Sequence, residues 1–185
     1  MGKLIMWNVI TLDGYFEGAN SWDLPWHEQV WGEELEQLSI EQLRSADALV
    51  FGRVTYEGMA SHWRSAKGEI AEYMNGLPKI VCSHTLQNAE WNNSTLVKHD
   101  ATSAIENLKQ ACERNLFVFG SANLSESMIK ANLFDEYRLG IAPVIQGRGR
   151  LLFSQPLRHL RLELLDARPL SNGCVILRYR PAAAA

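Results

Sequence analysis

Apolar and polar positions alternate along the chain with two different rhythms. Residues 3–12, KLIMWNVITL, are almost uninterrupted apolar positions and predict a strand buried on both faces. Gly14, Gly18, Asn20 and Ser21 make the next stretch a loop. Residues 25–38, PWHEQVWGEELEQL, have roughly helical apolar spacing with Pro25 as a suitable first residue, and residues 40–46 extend or repeat that helix. Residues 46–52, ADALVFG, predict a second strand. Residues 54–63 predict a helix weakened by Gly58, and residues 69–76 a further helix stopped at Gly76.

The alternation continues. Residues 78–83 and 94–98 predict strands, and residues 102–115 the clearest amphipathic helix, with Ala104, Ile105, Leu108 and Ala111 on one face. Thr102 or Ser103 is its expected cap, and Glu106 completes a capping box with Ser103. A strand at 116–120, a helix at 122–133 and a strand at 135–145 follow. Residues 160–170 and 174–180 predict a closing hairpin around Ser171-Asn172-Gly173. This order predicts an α/β fold: about eight strands in a mostly parallel sheet, with an antiparallel C-terminal hairpin. No linker or repeat interrupts it, so residues 1–181 are expected to form one domain, with 182–185 as a tail.

The composition is that of an ordinary globular protein, 46% hydrophobic and 21% charged. A net charge of −3 gives no general attraction to nucleic acid or anionic membranes. Cys82, Cys112 and Cys174 are far apart without CxxC spacing. Neither a metal site nor a disulfide framework is expected, and a reducing cytoplasm fits. The first apolar run is too short to span a membrane, and no cleavage-site pattern follows it.

The candidate chemistry sits where strands end. Val50-Phe51-Gly52-Arg53-Val54-Thr55 and Val118-Phe119-Gly120-Ser121-Ala122-Asn123-Leu124 each bring a hydrophobic strand to a glycine and then a helix. A helix start offers unpaired N–H groups and a positive dipole end, so two of them suit one diphosphate. Thr55 and Ser121 add hydroxyls, and Arg53 adds a fork for a phosphate monoester. Neither G-x-G-x-x-G after the first strand nor G-x-x-x-x-G-K-[ST] is present. An arginine at a strand end suits a 2′-phosphate, which favours NADP over NAD.

ITLDGYFEG (10–18), VFGRVTYEGM (50–59), LPKIVCSHTL (77–86), VFGSANLSESMI (118–129) and DEYRLGIAPVIQGRGRLLF (135–153), in this order and spacing, resemble the dihydrofolate reductase-like superfamily. Within it the chain is similar to stand-alone relatives of the riboflavin-biosynthesis reductase domain. The resemblance implies an NADPH-dependent reductase with helices on both faces of an eight-stranded sheet, usually a homodimer. By motif match it implies Gly52, Arg53 and Thr55 at the adenosine-side phosphates, and Ser83 with His84 or Thr85 at the 2′-phosphate and adenine. Gly120, Ser121, Ala122, Asn123 and Leu124 should wrap the pyrophosphate. Relatives carry a cis peptide between two glycines there; Ser121 replaces the second, so the Gly120–Ser121 link is expected to be strained or cis. Val9, Thr11, Asp13, Gly14 and Phe16 match the segment passing the nicotinamide.

Trp22-Asp23-Leu24-Pro25-Trp26-His27 resembles the stretch leading to the catalytic carboxylate of folate reductases, but His27 stands at that position, followed by Glu28. A histidine cannot make the same bidentate contact with an aminopyrimidine, which speaks against folate; an offset of one residue restores Glu28. Asp13, Asp23, His27 and Glu28 are the candidate proton donors. Trp7, Trp22, Trp26 and Trp31 are candidates to line a cleft for a flat ring, or core residues. Arg148 and Arg150 in the glycine-rich loop 146–150 are candidates for a substrate phosphate, or a solvated turn. The expected function is NADPH-dependent reduction of a small pyrimidine- or pterin-like metabolite, akin to 5-amino-6-(5-phosphoribosylamino)uracil reductase. A nucleotide-binding protein without turnover and a true dihydrofolate reductase are the alternatives. The chain lacks the H-x-E…P-C-x-x-C deaminase signature.

Overall fold

The computed structural model describes residues 1–154, 157 and 159–183. The last two residues of the expected tail, 184–185, lie outside them. The strands are β1 (Leu4–Thr11), β2 (Tyr15–Glu17), β3 (Ala46–Gly52), β4 (Lys79–Cys82), β5 (Ser94–Val97), β6 (Asn115–Phe119), β7 (Glu136–Ala142), β8 (Arg150–Leu151), β9 (Leu162–Pro169) and β10 (Val175–Pro181). The helices are α1 (His27–Val30), α2 (Glu33–Arg44), α3 (Arg53–Trp63), α4 (Glu69–Gly76), α5 (Ala101–Ala111) and α6 (Ala122–Lys130). No helix among the described residues is long and apolar enough to cross a membrane.

Eight strands form one sheet in the order β5-β4-β3-β6-β1-β7-β10-β9. The first six are mutually parallel, and β10 is antiparallel to both its neighbours. The chain steps outward from β3 to β5, then returns to insert β6 between β3 and β1. With right-handed crossovers, that reversal sends the earlier helices to one face and α5 and α6 to the other. Each face buries its own core. Leu4, Met6, Val118, Ile105 and Met128 pack on the α5–α6 side. Ile5, Phe51, Phe117, Leu43, Tyr56 and Met74 pack on the α2–α4 side. A third cluster, with Trp26, Val30, Leu35 and Ile176, closes the β7–β10 end. Strand β9 is an edge whose side chains are mostly exposed, Leu164 and Leu165 among them.

The predicted helix over 25–38 is two pieces. Trp31 is extended (ψ 137°) and separates α1 from α2. The reason lies in the spacing. Val30 and Leu35 are both buried, but five residues advance a helix by roughly 500°, so a continuous helix would turn one of them outward. The extended break restores both to the core. The amphipathic helix α5 starts earlier than expected and is capped by Asp100, whose carboxylate accepts from the Ser103 N–H at 3.1 Å. Ser103 is therefore inside the first turn, and the predicted capping box does not form. Residues 14–21, expected as loop, contain β2, which pairs with β8 as a separate ribbon.

Candidate active site

The parallel strands end along one rim, and a cleft opens there. Strands β1 and β6 stay in register from Leu4↔Leu116 to Trp7↔Phe119. Beyond that point β1 continues to Thr11 beside β7 alone, while the other chain turns away at Gly120 (φ 57°) and Ser121 (φ 57°). The two central strands therefore part, leaving a slot. Gly120 is required twice over. Its dihedral disfavours any side chain, and a Cβ there would lie 3.2 Å from the Thr55 side chain. The described residues contain no cis peptide, so the strain at Gly120–Ser121 takes the form of two successive left-handed residues.

Two hydrogen bonds hold that turn against the neighbouring strand end, and a third braces it internally. The Gly52 N–H donates to Ser121 Oγ at 2.9 Å, the Ser121 N–H donates to Thr55 Oγ1 at 3.0 Å, and Ser121 Oγ donates to the Phe119 carbonyl at 3.2 Å. The Ser121 hydroxyl thereby accepts from one strand end and donates to the other as a stitch. Thr55 accepts through its oxygen and retains a proton to donate. No side chain caps α3 at Gly52 or α6 at Ser121. Two helix N-termini thus open onto the same cleft, both suited to an anion.

The cleft encloses about 550 Å³, in the range of small-molecule sites. At one end Arg53, Ser83, His84, Lys98 and His99 line it. Arg53 is half exposed and paired with Glu57 at 2.8 Å. Ser83 Oγ accepts from the Leu86 N–H at 3.0 Å and shapes the turn that carries His84. His84 and His99 have ring centroids 6.0 Å apart. The other end is apolar and aromatic, with Trp7, Val9, Phe16, His27, Trp31, Met59 and Trp63. His27 stacks on Trp31 at 5.9 Å. Burial lowers the His27 pKa from its ordinary value and favours the neutral imidazole. Glu17 is the one acidic side chain among the described lining residues, and Arg150 pairs with it at 3.3 Å.

Residues 2–176 match the family model of the RibD C-terminal domain. The chain belongs to the RibD C-terminal domain family. It is 25% identical to the uncharacterized protein YyaP of Bacillus subtilis (strain 168), over 96% of this chain and 94% of that protein. Among solved structures, a candidate riboflavin biosynthesis protein from Shewanella sp. PV-4 superposes with a TM-score of 0.77 at 21% identity, covering 97% of this chain and 99% of that one. Dihydrofolate reductase from Enterococcus faecalis, complexed with NADP(H) and RAB-propyl, gives a TM-score of 0.66 at 15% identity, covering 97% and 96%. The fold is dihydrofolate reductase-like, as the motif order implied.

Seen as a RibD C-terminal domain, the chain brings most of the expected residues together. Val9, Phe16, His27, Gly52, Arg53, Thr55, Ser83, His84 and the run Gly120 to Leu124 all line the cleft. Thr11, Asp13, Gly14, Trp26, Glu28 and Arg148 are not among the lining residues. Trp26 is 1% exposed in the core behind the cleft. Glu28 and Arg148 are exposed. Arg150, two residues on, is the loop arginine at the cleft: it stacks over Phe16 and donates to Asn123, fastening the β2–β8 ribbon to α6. Thr11 is buried and donates to Asp13 at 2.6 Å.

Asp13 anchors the loop after β7. Its carboxylate accepts from the Thr11 hydroxyl and from the N–H groups of Gln146 at 3.1 Å and Gly147 at 2.8 Å. The Thr11 hydroxyl, with those two N–H groups, lowers its pKa from 3.8 to about 2. It is ionised at neutral pH and has no proton to give. Because the folded pKa lies below the unfolded one, the stabilisation is complete above pH 3.8 and is lost as pH falls through about 2. The Asp13→Asn variant should lack this acid-side loss, which urea unfolding at stepped pH values would read.

Two amides at the cleft escaped the motif search. Asn8 and Gln42 line it at 5% and 2% exposure, and Asn8 Nδ2 and Gln42 Nε2 have no hydrogen-bond partner among the described residues. A polar residue inside LIMWNVIT was the available signal for Asn8. Lys98 and His99, at the end of the short strand β5, had none.

Proposed function

We propose that this RibD C-terminal domain is an NADPH-dependent reductase of a small, flat, uncharged heterocycle. The observation that carries the reading is the pair of uncapped helix N-termini, α3 and α6, stitched side by side at the rim of a slot between β1 and β6. Their N–H groups and the Thr55 hydroxyl fit a diphosphate. Arg53, Ser83 and the nearby His84, Lys98 and His99 fit a 2′-phosphate at one end. The bound cofactor would supply the hydride. The chain holds the reacting rings together at Val9, Phe16 and Trp7, and the aromatic wall excludes water. His27, whose burial favours the neutral imidazole, is the candidate at that end to relay the proton that balances the hydride.

The scarcity of acids favours this substrate class over folate. Glu17 is tied to Arg150, so the described lining leaves no free carboxylate for an aminopyrimidine cation. The NADP(H) complex of the Enterococcus faecalis enzyme on the same fold supports the cofactor. The exposed leucines of edge strand β9 support a homodimer.

The test is loss of dihydronicotinamide absorbance with a panel of pyrimidinediones, pterins and carbonyl compounds. Turnover with an uncharged ring, and none with dihydrofolate, is expected. NADPH binding without turnover across the panel would indicate a binding protein instead; no NADPH binding at millimolar concentration would sink both readings.

A further inference from the structure

The one-turn helix α1 brings His27 to the cleft, yet little within the helix accounts for its own stability. It spans four residues, has no side-chain cap and is followed at once by the extended Trp31. A single turn carries the cost of helix nucleation without the gain of propagation. Contacts from elsewhere must hold it. Its N-cap Trp26 and its last residue Val30 are buried in one cluster with Leu170 and Cys174, and those two residues flank the tip of the β9–β10 hairpin. The tip itself reaches further. Asn172 Nδ2 donates to the Val30 carbonyl at 2.6 Å, an end carbonyl for which the helix has no partner. The amide cannot be turned round, because Asn172 Oδ1 accepts from the Cys174 N–H at 3.0 Å. One residue earlier, the Ser171 N–H donates to Glu34 Oε2 at 2.7 Å, in the first turn of α2. The hairpin tip therefore grips the chain on both sides of the break at Trp31. Between the two grips lies Trp31, which stacks with His27, and both rings line the cleft. Asn172 is not among the lining residues.

We propose that Asn172 is a positioning residue: from outside the cleft, by holding the Val30 carbonyl, it fixes α1 and with it the His27–Trp31 wall. The effect on rate rests on the reading of this end as the substrate end; the placement of the two rings does not. The turn does not need Asn172 for its backbone, because the positive φ falls on Gly173 (88°). A substitution at 172 therefore tests the side chain alone. Burial is what favours the neutral imidazole at His27, so a loosened α1 should show as a His27 that takes up a proton more readily.

Two variants of the full chain separate the contact from its surroundings. Asn172→Asp keeps the size and the Cys174 contact but sets a carboxylate against the Val30 carbonyl. Asn172→Ala removes the donor without adding charge. Proton NMR follows the His27 ring across pH, its signals assigned by their absence in His27→Gln. In both Asn172 variants the midpoint should move up, toward that of a free imidazole. With whichever panel compound the chain reduces, kcat should fall by about tenfold, since a small misplacement of a reacting group costs that much or more. NADPH affinity should stay within about twofold, because the starts of α3 and α6 are stitched to each other and not to the hairpin. Asp47→Ala is the control for destabilisation alone. Asp47 pairs with Arg114 at 2.7 Å and does not line the cleft; its loss should lower the melting temperature and leave the His27 midpoint in place. An unmoved midpoint in either Asn172 variant, a midpoint that moves equally in the control, or unfolding of both Asn172 variants would overturn the proposal. A moved midpoint without NADPH oxidation by any compound would sustain the role of Asn172 while overturning the reductase reading. NADPH oxidation with an unmoved midpoint would do the reverse.

Discussion

Arg53→Ala should weaken NADPH by about tenfold to a hundredfold and NADH by less than about twofold. Those factors follow from one charge-assisted hydrogen bond to a phosphate, about 1.5–3 kcal/mol. Arg53 starts α3 immediately after Gly52, so its backbone belongs to the helix start proposed to hold the diphosphate, and the residue lines the cleft. The substitution leaves the cradle intact and removes only the guanidinium. Partial exposure of the side chain and its pairing with Glu57 place the effect toward the lower figure. The preference should also shrink as salt is added, because a half-exposed contact is screened. Isothermal titration with both cofactors measures it. Equal losses for NADPH and NADH would show that Arg53 does not read the 2′-phosphate, and His84, Lys98 and His99 would then be the remaining candidates on that wall.

Gly58→Ala should separate stability from activity. Gly58 lies within α3, and alanine is the better helix former there by about 1 kcal/mol. The space for a methyl group is already taken. A Cβ at Gly58 would sit 1.9 Å from Trp22 Cε2. Trp22 comes from the loop after β2, lines the cleft, and donates from Nε1 to the Val54 carbonyl at 3.3 Å. It is 41% exposed, so it can leave α3 without opening a core. The variant should therefore melt at the same temperature or slightly higher, while kcat/KM falls by about tenfold because Trp22 no longer lines the cleft against the reacting rings. Thermal melts and steady-state rates on the same preparation decide it. A lower melting temperature with full activity would show that Trp22 serves the fold and not the cleft.

The elements whose boundaries are written locally were legible. ADALVFG and EIAEYMNG coincide with β3 and α4 residue for residue. The errors arose where a distant contact decides. The break at Trp31 follows from two residues, Val30 and Leu35, both having to reach the core behind β7 and β10, and its local mark, Gly32 as the N-cap of α2, is a glycine that a continuous helix also tolerates. Asp100 outcompetes Ser103 as the cap of α5 because it sits one turn earlier and caps as well. Strands β2 and β8 are three and two residues long, and each is a strand only through its partner. The two facing turns were legible because a glycine and a hydroxyl lie within a few residues of each strand end, with an arginine at the first. The grip of Asn172 on Val30 was not, because it joins residues far apart in the chain.

The stitch between Gly52, Thr55 and Ser121 joins helices from opposite sides of the sheet: α3 packs into the cluster with Phe51 and Met74, and α6 into the cluster with Met6 and Val118. At this rim the two hydrophobic cores, otherwise separated by a wall of strands, are a few hydrogen bonds apart. A diphosphate seated across both helix starts would act as a rivet through that wall. Its occupancy would tie the opening of one core to that of the other, so the slowest amide exchange on both faces should respond together to a ligand that touches only the edge.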